Sequence, residues 1–211
     1  VEPGTSMATR VASGKFLEAV MPKLPLVMGG SADLTPSNNT RFSEATVFQK
    51  DNPGGRYIHF GVREHAMGAI LNGISLSGLV RAYGATFLCF SDYMLPSIRV
   101  AALSNYPSLF VFTHDSIGLG EDGPTHQPVE QVSYLRAMPG LISFRPADAN
   151  ETMEAWRFAL KHQNGPVAIS LTRQGLPALD QSKFGSASQV EKGGYVLVKE
   201  ENPDLLIIAT G

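Results

Sequence analysis

The sequence predicts a doubly wound α/β domain, a mostly parallel sheet with helices on both faces. Three observations carry that reading. Short runs rich in β-branched and aromatic residues read as buried strands, and longer stretches of helical periodicity separate them. Such alternation argues for a parallel sheet covered on both sides. The unusual chemistry of the chain sits just after the strands, at the edge where sheets of this kind hold ligands.

Six runs are predicted as strands: Leu26–Met28, Tyr57–Phe60, Leu79–Tyr83, Leu109–Thr113, Leu141–Phe144 and Val167–Leu171. Helices are predicted over about Thr9–Met21, Arg63–Ser75, Phe87–Ser104, Pro128–Met138 and Ala149–His162. Together they assign residues 1–177 to one domain. Residues 178–194, rich in Ser, Gly and Gln, read as a linker. Beyond it, Tyr195–Lys199 and the apolar run Leu205–Gly211 are expected to form a strand opening a further, truncated domain.

Composition removes several function classes. Of 211 residues, 43% are hydrophobic and 17% charged, against roughly 25% charged in ordinary soluble domains. So lean a surface suggests cover by partner chains or domains. A net charge of −2 and a pI near 6.2 give no basic field for nucleic acid or an anionic membrane. No apolar run approaches the roughly 18 residues of a membrane span, and no signal-peptide pattern opens the chain. The expected location is the cytoplasm, and a plastid is left open. The single cysteine, Cys89, excludes a disulfide framework and a multi-cysteine metal site.

Five segments carry candidate chemistry. Gly29-Gly30-Ser31-Ala32-Asp33-Leu34, continuing to Thr40, combines close-approach glycines with hydroxyls, amides and an acid; it reads as a polar-ligand loop or as a capped turn. Glu64, after Gly61, falls in the first turn of a predicted helix, where the helix dipole favours a carboxylate. Alternatively it points into the crevice and exchanges a proton. Phe87, Phe90 and Tyr93 recur at spacing three, one side of a predicted helix, as core or as a cofactor platform. The segment His114–Pro128 packs two histidines, several acids and three glycines between a strand and a helix, a density no plain connector needs. Its His spacing fits no zinc pattern and its acids no EF-hand register, so proton transfer and hydrogen bonding to a polyhydroxylated substrate suit it better. Arg173 closes the last strand, a surface cation or a bidentate contact for phosphate or carboxylate.

Taken together, Gly-Gly-Ser-Ala-Asp-Leu, Arg-Glu-His-Ala-Met, Thr-Phe-x-x-Phe-x-x-Tyr, the His114–Pro128 loop and the Arg-Gln-x-Leu-Pro run resemble transketolase. The resemblance covers Met7 to Pro177 and is to the middle domain, which in that family has the thiamine diphosphate-binding fold and holds the cofactor's pyrimidine end. It implies a ketol-group transferase moving two carbons from a ketose phosphate to an aldose phosphate, as in the pentose phosphate pathway or the Calvin cycle. By the same resemblance, Glu64 bonds the pyrimidine nitrogen and drives the tautomer by which the cofactor deprotonates itself. Phe87, Phe90 and Tyr93 form the aromatic pocket, with Phe87 stacked on the ring. His114 and His126 polarise the donor carbonyl and shuttle a proton, and Asp122 selects the stereochemistry of a hydroxyl. Arg10, Ser37 and Arg173 grip phosphate, and Asp33 and Leu34 belong to the cofactor-side loop at a subunit interface.

The Gly-Asp-Gly…Asn signature for the diphosphate and its Mg2+ or Ca2+ is absent from the sequence; in the family it lies in the preceding domain. The resemblance therefore implies half of an active site, completed in a homodimer, and no activity from this chain alone. Dihydroxyacetone synthase, deoxyxylulose-phosphate synthase and a non-catalytic transketolase-like protein are the alternatives. The intact Glu64, His114, Asp122 and His126 speak against the last.

Overall fold

The computed structural model describes all residues, Val1–Gly211. Along the chain run β1 (Ser6–Ala8), α1 (Thr9–Val20), β2 (Val27–Ser31), α2 (Thr35–Asn38), β3 (Tyr57–His59), α3 (Glu64–Ser77) and β4 (Arg81–Phe87). They are followed by α4 (Ser91–Leu103), β5 (Leu109–Thr113), α5 (Gln131–Ala137), β6 (Ile142–Phe144), α6 (Ala149–Lys161), β7 (Val167–Leu171) and β8 (Gly175–Pro177). Six strands pair in the order β3-β2-β4-β5-β7-β6, every pair parallel. The α/β class is therefore as the sequence predicts. From β2 the chain steps outward to β3 and then returns to the other side at β4, so a crevice opens at the carboxyl ends of β2 and β4. Outside this sheet, β1 and β8 pair antiparallel, Ser6 opposite Pro177, and tie the two flanks of the domain together.

Period-two alternation divides the core between the two faces. In β5, Leu109 and Val111 join Leu17, Tyr83 and Trp156 on the face covered by α1 and α6. Phe110 and Phe112 point the other way, to Met67, Leu71, Met94 and Ile98 of α3 and α4. Each such side chain, fully buried, stabilises the fold by roughly 1.5–3 kcal/mol relative to exposure. Trp156 keeps its one polar atom satisfied by donating to Ser13 Oγ at 2.8 Å. No helix is long and apolar enough to cross a membrane.

The structure differs from the sequence reading at four places. β2 runs on through Gly29 and Gly30, which the sequence puts in a loop. A β-carbon on Gly29 would collide with the Tyr83 ring and one on Gly30 with the Ile58 carbonyl, so close strand packing, not turn geometry, selects glycine there. The strand predicted at Leu79–Tyr83 is Arg81–Phe87, because Gly78, at φ +69°, ends α3 and leaves Leu79 exposed. Phe87 consequently belongs to a strand and not to the helix, which begins at Ser91. Residues 195–211 form no strand, and Leu205–Ile208 are exposed without a sheet partner. The segment read as a linker lies against α6: Leu179 N–H donates to Asp148 Oδ2 (2.9 Å) and Arg157 pairs with Glu191 (3.1 Å).

Candidate active site

β5 ends at Thr113, and the next residue, His114, has φ +59°, a left-handed conformation uncommon for a side chain of this size and a mark of functional sites. Its ring lies on Phe87, centroids 3.8 Å apart and planes at 32°. Nδ1 is 2.9 Å from Thr113 Oγ1. Asn38 Nδ2 donates to that same oxygen at 2.8 Å, while Asn38 Oδ1 accepts from Ser31 Oγ at 2.8 Å. Ser31 Oγ in turn accepts the Leu34 N–H at 3.1 Å. On the ring's other edge, Nε2 is 3.9 Å from Asp122 Oδ2. Burial and then the Arg10 cation, with Arg173 and His126 adding, push the imidazole down to about 4 against the opposing pull of Asp122. His114 is therefore neutral at pH 7.

The loop that follows is anchored on one side and open on the other. Asp115 is buried, accepts from Arg145 Nε at 2.8 Å, and donates its N–H to the Leu171 carbonyl at 3.2 Å. Leu119 is buried, and Gly120 turns the chain at φ +98° so that Glu121 reaches Arg173, 3.6 Å away, from solvent. His126 stands edge-on to Phe90 and Phe87, 5.2 and 5.9 Å between centroids, with Nδ1 2.8 Å from Thr125 Oγ1.

Arg10 enters from the first turn of α1. Its Nη1 donates to the main-chain oxygen of Ser37 at 2.7 Å, and its Nε has no partner. Burial and the neighbouring Arg173 both lower its pKa, as two cations held close together require. The Ser37 carbonyl thus supports Arg10, and its hydroxyl bonds nothing in the chain. The two guanidiniums, with unused donors beside a neutral histidine, can grip a dianion.

Glu64 lies elsewhere on the same edge. Gly61, at φ +70°, turns the chain out of β3, and Glu64 begins α3, 7% exposed, its carboxylate accepting no hydrogen bond from this chain. The nearby Glu64 carboxylate contributes to raising the Cys89 thiol, so it stands beside the turn that carries the aromatic row. That row is not a single helix face. Phe87 ends β4, Phe90 sits in a 3-10 turn and Tyr93 in α4, with consecutive centroids 5.8 and 6.0 Å apart. Phe87 is also not the ring available for stacking: it is 6% exposed, held between His114 and Phe90. Phe90 is half-buried and Tyr93 66% exposed, which leaves these two accessible. Asp33, exposed at φ +63°, and half-buried Leu34 form the turn between β2 and α2. No three His, Cys, Asp or Glu side chains gather as a metal-ligand set.

The family model of the transketolase pyrimidine binding domain matches residues 5–178. The chain belongs to that family. The transketolase of Aquifex aeolicus is 56% identical over 97% of this chain, which spans 30% of that relative. The transketolase of Pichia stipitis, solved in complex with sedoheptulose-7-phosphate, is similar at TM-score 0.90 and 47% identity over 95% of this chain and 30% of its own. A split-gene transketolase, described as an inactive β4 tetramer, is similar at TM-score 0.66 and 28% identity over 82% of this chain and 54% of its own. The chain thus spans about a third of the length of the curated transketolases it matches.

Within this transketolase pyrimidine domain, the fold brings Arg10, Ser37, His114, Asp122, His126 and Arg173 to one group at the ends of β2, β5 and β7. Glu64 occupies the β3–β4 side, and Phe87 and Phe90 reach from the end of β4 to His114 and His126. The sequence reading placed Ser31 and Asn38 only in a polar-ligand loop or capped turn and gave Thr113 no role of its own, whereas in the fold all three lie behind His114. The available signal was a polar residue closing each of two otherwise apolar strands, Ser31 in β2 and Thr113 in β5.

Proposed function

We propose that this chain is the pyrimidine-side half of a transketolase active site, residues 1–177 forming the domain and residues 195–211 leading to a further one. The complete enzyme transfers a two-carbon ketol group between sugar phosphates, the chemistry of the pentose phosphate pathway and the Calvin cycle. The observation that carries this reading is the neutral, buried His114 set beside two unsaturated arginines: a donor for a sugar oxygen next to a grip for its phosphate. Arg10 and Arg173 hold the phosphate, and His114 and His126 donate to oxygens of the donor ketose and move its proton. Asp122, opposite His114, accepts from a secondary hydroxyl and sets stereochemistry.

The residues present fit thiamine diphosphate on two counts. Glu64, a buried residue, offers a carboxylate without a hydrogen-bond partner, and Phe90 and Tyr93 offer accessible rings near it. When bound, the cofactor supplies the carbanion that carries the two-carbon unit. Glu64 would share a proton with a pyrimidine ring nitrogen, and Phe90, stacked on Phe87, would be the ring available to pack on the pyrimidine. Asp33 and Leu34 border the cofactor-side loop. The diphosphate and its Mg2+ or Ca2+ are held by a domain outside this chain, on the other subunit of a homodimer. The exposed apolar residues Ile70, Leu76, Val100 and Leu103 of α3 and α4 supply the face that such a dimer needs. The location is cytoplasmic or plastidic.

The test is ketol transfer by the complete enzyme from a ketose phosphate to ribose 5-phosphate, with and without thiamine diphosphate. Cofactor-dependent transfer is expected. Its absence, or a preference for formaldehyde as acceptor, overturns the assignment.

A further inference from the structure

We propose that Asn38 is a positioning residue that, through Thr113, fixes the tautomer of His114 so that its Nε2 carries the proton and faces the substrate. This rests on the reading above, in which His114 meets the ketose. Four groups form one buried chain: Ser31, Asn38 and Thr113 have no exposed surface and His114 only 3%. The direction of the chain is set at its far end. Ser31 Oγ accepts the Leu34 N–H, so its own hydrogen must find an acceptor, and the only one bonded to it is Asn38 Oδ1. The opposite orientation of the Asn38 amide would leave the Ser31 hydroxyl hydrogen buried and unpaired.

With Oδ1 committed, Asn38 presents Nδ2 to Thr113 Oγ1 and donates to it. Thr113 then points its hydroxyl hydrogen at the remaining neighbour, His114 Nδ1. A proton on Nδ1 would leave that hydroxyl hydrogen without a partner at a site closed to water. In a neutral imidazole, acceptance at Nδ1 puts the hydrogen on Nε2, toward Asp122 Oδ2 and the space a sugar oxygen would enter. A main-chain N–H in the β2–α2 turn thereby determines which edge of a histidine after β5 is the donor. The left-handed backbone at His114 holds the ring in register with Thr113 and against Phe87.

The charged and titratable groups facing the ring are Arg10 from α1, Arg173 after β7, and Asp122 and His126 from its own loop; β2 and α2 present only the neutral Ser31 and Asn38. Asn38→Asp therefore changes one thing sharply. A carboxylate accepts from both Ser31 and Thr113, so Thr113 turns its hydrogen away and accepts from His114 Nδ1–H. The tautomer reverses, and the added negative charge raises the histidine pKa.

The experiment uses the complete enzyme and four variants, with kcat, KM and the pH profile of kcat as readouts. Asn38→Asp and Thr113→Val should each lower kcat, by up to about 10²–10⁴-fold, the contribution of a positioned general acid–base group. In Asn38→Asp the acid limb of the profile should also move to higher pH. Thr113→Ser, which keeps the hydroxyl, should restore kcat, and KM for thiamine diphosphate should stay at its wild-type value throughout. His114→Ala separates the two levels of the argument. If it retains wild-type kcat, the substrate-facing role of His114 fails. If it is impaired while Asn38→Asp and Thr113→Val keep wild-type kcat and pH profile, the positioning role of Asn38 is overturned. Equal loss in Thr113→Ser and Thr113→Val with no pH shift also overturns it, by marking a packing effect. Should Asn38→Asp fail to fold, the comparison of the two Thr113 variants decides.

Discussion

Phe87 lies beneath the imidazole of His114, ring centroids 3.8 Å apart, and this contact makes Phe87 the floor of the site. It assigns different work to the aromatic residues three apart in sequence. Phe87→Ala removes a nearly buried ring and should lower the thermal midpoint of the complete enzyme, since such truncations cost about 3–5 kcal/mol. Phe90→Ala should leave the midpoint close to wild type and raise the KM for thiamine diphosphate. A melting series together with cofactor titration checks both. The reverse pattern would restore Phe87 as the stacking ring.

Stability should fall with acid through His114. The group is depressed from 6.5 to about 4 in the folded state, so below pH 6.5 the unfolded chain takes up a proton that the folded chain refuses. The contribution is complete above pH 6.5 and is lost progressively as pH falls to about 4. Its size is roughly 1–3 kcal/mol, at 1.36 kcal/mol per unit and with allowance for screening at the open side of the site. His114→Phe, which cannot titrate, should flatten this part of the stability–pH curve measured by urea unfolding. A curve of unchanged slope would mean that the imidazole is freely solvated.

Glu64 is 7% exposed, and its carboxylate has no hydrogen-bond partner in this chain. Glu64→Gln keeps its shape and removes its basicity. In the complete enzyme the loss should fall on kcat, by about 10²–10⁴-fold, with the fold intact. Near-wild-type kcat at saturating thiamine diphosphate would return Glu64 to the simpler role of complementing the dipole of α3.

How much of this was legible follows from where each signal lies. The loop His114–Pro128 announced itself because ionisable residues crowd a connector, and that crowding is local in sequence. Glu64 is legible as a candidate from a different local signal, its place just past a glycine at a strand exit. The continuation of β2 through Gly29 and Gly30 was not, because their need for glycine comes from Tyr83 and Ile58 in neighbouring strands. Phe87 was misplaced because its spacing with Phe90 and Tyr93 imitates a helix across a strand end. The Asn38–Thr113 hydrogen bond joins residues 75 apart in sequence, and no periodicity spans that distance.

Arg173 pairs at 3.6 Å only with the exposed Glu121, a surface contact worth little and easily displaced by a dianion. Arg173→Ala should therefore raise KM for phosphorylated aldose acceptors by about 10- to 150-fold, the equivalent of a charge-assisted bond of roughly 1.5–3 kcal/mol. For unphosphorylated glycolaldehyde the KM should barely move. Comparing the two acceptors on one variant is the check, and equal weakening would make Arg173 a structural residue of the loop.

The chain by itself should fold, self-associate and bind thiamine diphosphate poorly. It should fold because the six-stranded sheet is covered on both faces and the buried members of its two core clusters all lie between Leu17 and Leu171, with Val190 packed against one of them. Self-association follows from α3 and α4, which leave Leu76 and Leu103 at 65% and 69% exposure, an apolar face that water disfavours. Weak binding follows from what the site contains. Phe90, Tyr93 and Glu64 can hold a pyrimidine ring, but no set of acidic or histidine ligands gathers to hold a metal and through it a diphosphate. Arg10 and Arg173 stand with His114 and His126, not with Glu64, and cannot substitute. Calorimetric titration with thiamine diphosphate and magnesium, run beside a ketol-transfer assay and analytical ultracentrifugation, measures all three properties on one sample. The expected result is an oligomer with no turnover and an affinity weaker than micromolar. Micromolar binding or measurable transfer would mean that this chain carries the diphosphate half of the site as well, and that Glu64 need not reach across to another subunit.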